Sequence, residues 1–483
     1  STAGDITTTG DNISFNGAVT LTGSVSFSSG SGAGDISFSS TVDGTTAGVE
    51  GLSLTAGTGS ITFSGALGGV TRLGDLVIVS AGDVTAGSIV ASTISQSAGS
   101  GTTTFNGALD TNGAGGIDLN GTGFTFNAGV TTTNGGGVTI TNSGVLTIGS
   151  SADMSLDGAF TQDGSGSVST AGDITTTGDN ISFNGAVTLT GSVSLSTGSG
   201  AGDVSFASTL DGTAGSEDLT ITAGTGGITF TGAVGSSATL GNVSASGGSV
   251  TVSSTFSVSG DITFTADSID LNGGVDSVSG TGTITLQPTA STTTVGVAGE
   301  SGTLQLSAAD MDALADGFSM IYVGRSDASG AMRIGALTVS DPITFRSPAS
   351  GGSITVTGQI TATDDATVTF DTPNLYLGSD IVTAGEAVVI DGDFVLTSDV
   401  TIDTTNGGSV ATGASITFNG KVNADLASNN RTLTLDAGTG GDISFNDVVG
   451  GLERPYTLTI SNARDVTAGA ITVGNLVQSA GQG

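Results

Sequence analysis

The sequence predicts an all-β fold, a parallel β-solenoid, and three observations predict it. Short apolar–polar–apolar triplets recur along the chain, Gly and Asn separate them, and phenylalanines commonly return at intervals of about 21 to 27 residues. The triplets come first. Ile13 pairs with Phe15, Val19 with Leu21 and Val25 with Phe27, each pair marking a short strand with one inward face. Asn16-Gly17 and Gly23-Ser24 lie between them, and these residues turn a chain tightly because Gly accepts positive φ and Asn bonds its own backbone. Three short sides and their corners make one triangular coil of about 21 to 25 residues, right-handed by expectation. At about 22 residues per coil the chain forms roughly 22 coils, a rod on the order of 100 Å at a strand spacing of about 4.8 Å.

The phenylalanines fix the period. Ile13-Ser14-Phe15-Asn16-Gly17-Ala18-Val19 is echoed around Phe38, Phe63, Phe105, Phe126, Phe183, Phe206, Phe230, Phe264, Phe418 and Phe445. These eleven rings are the expected coil anchors. A longer repeat overlies the short one: Ser1 to Thr45 recurs at Ser169 to Thr213, with conservative changes such as Phe27 to Leu195 and Ile36 to Val204. A weaker copy of Gly82-Asp83-Val84-Thr85-Ala86-Gly87 reappears as Arg464-Asp465-Val466-Thr467-Ala468-Gly469. A string of immunoglobulin-like sandwiches is the structural competitor. It needs antiparallel hairpins and units of about 100 residues, whereas the period here is short, Trp is absent and no Pro precedes Pro288.

One interruption is expected. Ser307 to Gly317 reads as a helix, with Ser307 as N-cap, acidic residues in the first turn and Gly317 as the stop. Three of the five prolines lie around it, with Arg325, Arg333 and Arg346. The expected organisation is regular solenoid over 1–286, an irregular insertion or joint over 287–350 and solenoid again over 351–483. The chain starts at Ser1 and begins and ends inside repeat units, so it is expected to be part of a longer polypeptide.

Charge argues against several function classes. The chain carries 43 acidic and 8 basic residues, a net charge of −35, with no Lys or Arg between Arg72 and Arg325. Phosphate binding rests on Lys and Arg, so nucleic acid is not expected as a partner. No apolar run approaches the roughly 20 residues of a spanning helix, so no membrane insertion is expected. Cys and His are both absent, which removes disulfides, thiolate metal sites and imidazole catalysis.

The Ile-(Ser/Thr)-Phe-(Asn/Ser/Thr)-Gly coil, the Leu54-Thr55-Ala56-Gly57-Thr58-Gly59 link and the Ala-Gly-Asp-Val-Thr-Ala-Gly run resemble the repetitive β-helix shafts of giant filamentous-haemagglutinin-like bacterial surface adhesins. The helix followed by Ile321-Tyr322-Val323-Gly324-Arg325 is similar to an element of such shafts. The resemblance implies export to the bacterial cell surface, often by a two-partner route. It also implies a role in adhesion, aggregation or biofilm, with other copies, other surface proteins or an unidentified receptor as partners. A self-assembling extracellular filament, sheath or surface layer is the alternative.

Catalytic chemistry has few residues to draw on. Asp364-Asp365 is the adjacent acidic pair that a polysaccharide-cleaving β-helix would use as acid and base. The His-Gly and Arg-Ile-Lys segments of pectin hydrolases are missing, and the lone Lys421 sits where the coil motif has Ala. No enzyme is expected, and no cofactor beyond calcium. The candidate calcium ligands are the Gly-Asp-(Ile/Val) corner residues Asp5, Asp35, Asp83, Asp173, Asp203, Asp261 and Asp442, because carboxylates and corner carbonyls are hard oxygen donors. The competing reading has each Asp cap its corner through a backbone N–H. Asn16, Asn106, Asn184 and Asn419 read as stacked corner amides. Thr20-Leu21-Thr22 raises an ice-binding face, which needs the same pair on successive coils, and the next two coils do not supply it.

Overall fold

The computed structural model describes residues 1–481 and divides into two compact units, Ser1–Gly247 and Gly248–Gly483. Both are all-β parallel solenoids, about 22 turns in total. The triplets form the strands for the expected reason. In Val19–Leu21 and Ile36–Phe38 the first and third side chains are buried and the middle one faces out, so three residues suffice to place two apolar groups inside. Strands of successive turns pair in parallel with like residues in register: Ile13 lies beside Ile36 and Phe15 beside Phe38, then Ile36 beside Ile61 and Phe38 beside Phe63.

Each turn of the first unit has three sides. In the turn that begins at Ile13, side A is Ile13–Phe15, side B Val19–Leu21 and side C Val25–Ser28, the last stacked on Ile6–Thr7. Side A continues through Ile36–Phe38, Ile61–Phe63, Val84–Ala86, Thr102–Phe105, Gly123–Phe126, Leu146–Ile148 and Val168–Thr170. That is seven turns, after which Ile174–Thr176 opens side B and Ile181–Phe183 lies on side C. The second copy of the long repeat therefore does not lie above the first. Ile13-Ser14-Phe15 occupies side A and its counterpart Ile181-Ser182-Phe183 side C, because seven whole turns and two further sides separate them. The sides are interchangeable to this sequence, since each asks only for two inward apolar residues and a corner.

The anchor rings follow that shift. Phe15, Phe38 and Phe63 stack on side A with centroids 5.0 and 5.1 Å apart, and Phe105 and Phe126 lie 5.2 Å apart on the same side. Phe183, Phe206 and Phe230 stack on side C at 5.2 and 5.5 Å. In the second unit Phe418 and Phe445 stack at 5.0 Å, while Phe264 meets Phe256 edge-on at 5.5 Å. These spacings follow from the ladder, whose strands lie about 4.8 Å apart, and a buried ring adds about 2–3 kcal/mol at each step. Close approach of the turns also dictates small residues at corners: a Cβ on Gly226 would collide with the Gly202 carbonyl oxygen one turn back.

The second unit holds the interruption. The helix is shorter than the sequence predicts, spanning Ala308–Asp312. Its start is as expected: Ser307 accepts the Asp310 N–H, and the Asp310 carboxylate accepts the Ser307 N–H at 2.7 Å. Its end is earlier than Gly317 because the solenoid reclaims the chain, with Val278 N–H donating to Ala313 and Ala315 N–H donating to Val278. Regular three-sided turns also resume earlier than residue 351, from Met320–Val323, Ala331–Ile334 and Leu337–Val339 onward. Arg325, Arg333 and Arg346 border this region and are all engaged. Arg325 pairs with Asp327 at 2.7 Å, Arg333 with Glu300 at 2.9 Å, and the Arg346 guanidinium lies 3.3 Å from the Tyr322 ring centroid.

Truncating a ring inside a stack tests this packing. Phe206→Ala is expected to cost about 3–5 kcal/mol and Phe206→Leu less than about 1.5 kcal/mol in denaturant unfolding. Equal losses would contradict a close-packed aromatic column.

Candidate functional site

The corner aspartates are the feature that sequence and structure share most closely. Asp5 accepts the Ser26 N–H at 2.8 Å, Asp35 that of Ser60 at 2.8 Å and Asp83 that of Thr102 at 2.8 Å. Asp173 accepts from Ser194, Asp203 from Gly227 and Asp261 from Thr283, each at 2.7 Å. Each bond reaches the next turn, not the residues just ahead of the Asp as a local cap would. The reason is that the chain leaves the ladder at a corner, so an N–H near the start of the next strand lacks a carbonyl partner. A carboxylate oxygen of the turn below supplies it. Columns result: Asn12 accepts the Asp35 N–H at 2.8 Å, and Asn180 accepts that of Asp203 at 2.8 Å. Asp442 differs, because Arg464, which stands where the motif has Gly82, donates to both of its carboxylate oxygens through Nε and Nη2.

The amide prediction holds at two places. Asn127 donates to Asn106 at 2.9 Å and Asn446 to Asn419 at 2.7 Å. Asn184 instead donates to the Asp163 carbonyl at 3.3 Å. Lys421 lies 3.4 Å from Asp393.

Two buried carboxylates, Glu50 and Glu217, have no counterpart among the residues that the sequence singles out. They close the corner loops that follow Asp43-Gly44-Thr45 and Asp211-Gly212-Thr213. Glu50 accepts the Thr45 hydroxyl at 2.6 Å and the Thr46 N–H at 2.9 Å, and Glu217 accepts the Thr213 hydroxyl and the Ala214 N–H. Both loops place Gly opposite the carboxylate: a Cβ on Gly44 or Gly212 would lie 2.7 Å from the Glu Oε2 and would displace it. The Thr45 hydroxyl and then the Thr46 N–H lower the Glu50 pKa, and the Thr213 hydroxyl leads in lowering that of Glu217 to about 2. The shared Asp-Gly-Thr…Glu string was the available signal. A small difference in loop length hid it.

Among the described residues one group of three carboxylates lies within 4.8 Å: Asp316 after the helix, Asp341 at a corner and Asp365 in a turn. Asp365 belongs to the acidic pair, and Asp364 beside it holds a left-handed turn at φ 51°. Asp341 is buried and accepts the Gly317 N–H at 2.9 Å. Burial pushes its pKa up, and Asp316 and Asp365 add to the rise. Such oxygens are the donors that a divalent cation takes, but none of the seven corner aspartates is among them.

Two outcomes follow. Asp203→Ala is expected to destabilise by about 1 kcal/mol, and Asp203→Asn, whose amide oxygen still accepts the Gly227 N–H, by much less. Denaturant titrations with and without calcium check this, because a calcium site would make both variants lose the same calcium-dependent stability. For Glu217 the folded pKa lies below its ordinary 4.5, so its contribution is full above about 4.5 and fades as pH falls toward about 2. The stability gap between wild type and Glu217→Gln should close over that window in acid-titrated thermal unfolding.

Compared with protein-family models, with curated proteins and with solved structures, the chain finds no match.

Proposed function

We propose that this chain is shaft material of a secreted bacterial surface adhesin, a spacer that resists extension and holds a binding region away from the cell. The observation that carries the reading is the stacking of strand on strand: within each unit like residues stand in register over successive turns, as from Ile343–Arg346 to Val368–Asp371 to Val388–Ile390. A body whose backbone hydrogen bonds run along its stacking direction transmits force through many bonds at once. The acidic skin fits an exposed position, since like charge keeps long bodies apart. The carboxylates of the corners are engaged in the architecture itself, and the repeat pattern resembles filamentous-haemagglutinin-like shafts. No catalytic role is assigned to the chain.

A second reading, a self-assembling filament or sheath, is favoured by the small uncharged side chains that line the outward strand positions of side A. Electron microscopy of surface material from producing cells, labelled with antibody against this chain, separates the two. Isolated projecting rods are expected. Bundled or sheet-like arrays would favour the filament, and label confined to the cell interior would defeat both.

A further inference from the structure

We propose that the Asp341–Pro342 peptide bond is a self-cleavage site, broken in mild acid by the Asp341 carboxylate with a proton supplied by Asp316 or Asp365. Of the five prolines only Pro342 follows an Asp. That pair carries both halves of an intramolecular hydrolysis. A β-carboxylate closes a five-membered ring on its own backbone carbonyl, and the prolyl nitrogen, which belongs to a tertiary amide, takes a proton and departs more readily than an ordinary amide nitrogen. In an unfolded chain such a bond waits for strong acid, because carboxylate and proton donor meet only by chance.

The fold brings the donors to this bond. Asp316, Asp341 and Asp365 stand ahead of Ile321, Ile343 and Val368, which pair in register on successive turns, and their carboxylate oxygens lie within 4.8 Å of one another. Asp341 is the middle member and is only 3% exposed. Carboxylates this close do not all ionise; they hold a proton in common. Burial first, and then Asp316 and Asp365, push the Asp341 pKa up against the pull of the Gly317 and Phe318 N–H groups. One member is thus ionised to attack while a neighbour is protonated to donate, in milder acid than separate carboxyls need. Glu50 and Glu217, nearly as buried, meet hydroxyl and N–H donors instead and keep their charge.

A cavity of ≈ 240 Å³ opens beside Asp341, with Asp276, Asp312 and Ser340 on its walls, and it is polar and roomy enough to admit water. The groups facing Asp341 are therefore Asp316 and Asp365 along the column and Asp276 and Asp312 across the cavity, and no Lys or Arg lines that cavity among the described residues. In the reaction an Asp341 side-chain oxygen bonds to the Asp341 carbonyl carbon, the carbon–nitrogen bond to Pro342 breaks, and the neighbouring carboxyl gives its proton to the prolyl nitrogen. Water then opens the cyclic anhydride and returns a proton to the donor. One water is consumed, Asp341 becomes a C-terminus and Pro342 an N-terminus. The chain acts once on itself, and the cut ends stay in place, because the Pro342 carbonyl accepts the Ile321 N–H at 2.7 Å and the Ile343 N–H donates to the Thr367 carbonyl at 2.8 Å. Cleavage here is independent of the shaft reading.

Incubation of the full chain for days between about pH 4 and about pH 7, followed by unfolding and intact-mass spectrometry, tests it. Fragments 1–341 and 342–483 are expected, their masses summing to the chain plus one water, at a rate that rises as pH falls through this range. At about pH 5 the folded chain should cleave at least about tenfold faster than the same chain in concentrated urea. The double variant Asp316→Asn, Asp365→Asn should cleave at least about tenfold more slowly and only at lower pH, and Pro342→Ala should stay intact. Circular dichroism certifies the folds, and the comparison of folded with urea-unfolded wild type decides alone if a variant fails that check. An intact wild type at every pH, a folded rate no greater than the rate in urea, or a folded double variant with the wild-type rate and pH profile overturns the proposal and leaves the shaft reading untouched.

Discussion

Every turn of this chain leaves its backbone polar groups for the next turn to satisfy, and the rest of the structure answers to that constraint. A strand of three residues has little stability alone. Stacked in register, it gives and receives hydrogen bonds on both edges while its first and third side chains close the interior. The aromatic columns are a by-product of this spacing, since rings set by strands about 4.8 Å apart meet as offset stacks. The shortened helix obeys the same rule, because the ladder offers Ala313 and Ala315 partners on Val278 that continued helix would forgo.

The constraint also divides labour between strand and corner. Along the strands, outward positions tolerate almost any small polar residue, and Ser and Thr fill most of side A. At the corners the ladder breaks and an acceptor is needed, so Asp and Asn concentrate there. Much of the chain's negative charge is therefore structural in origin. Its repulsive effect on other copies comes from the same carboxylates.

The fold was legible because its signal is local: the in-out-in triplet and the returning Phe are both visible within the sequence of a single turn and its neighbour. The side on which a given triplet lies was not legible, since Ile13-Ser14-Phe15 and Ile181-Ser182-Phe183 are identical and occupy different sides. The phase is set by the sum of all intervening corner lengths, which no single motif encodes. The corner aspartates were recognised by type, yet their partners, such as Gly227 for Asp203, lie a full turn away. Glu50 and Glu217 were missed because an acidic residue in a Gly-rich loop looks solvent-facing until the loop is seen to fold around it. Asp341 and Asp365 stand at the same corner of successive turns, just ahead of the paired strands Ile343–Arg346 and Val368–Asp371, and Asp316 joins them from the segment after the helix, so their meeting depends on a register that no single motif encodes.

The rotation between the two copies has a mechanical meaning. A tandem array of such units advances by two sides beyond whole turns with each repetition, so three units bring the motif back to its original azimuth. Any curvature or stiffness peculiar to one stretch of sequence then points in three directions in succession and averages out. Such an array has no preferred bending plane, a property that an exact whole-turn repeat would forfeit by adding the same bias at every period.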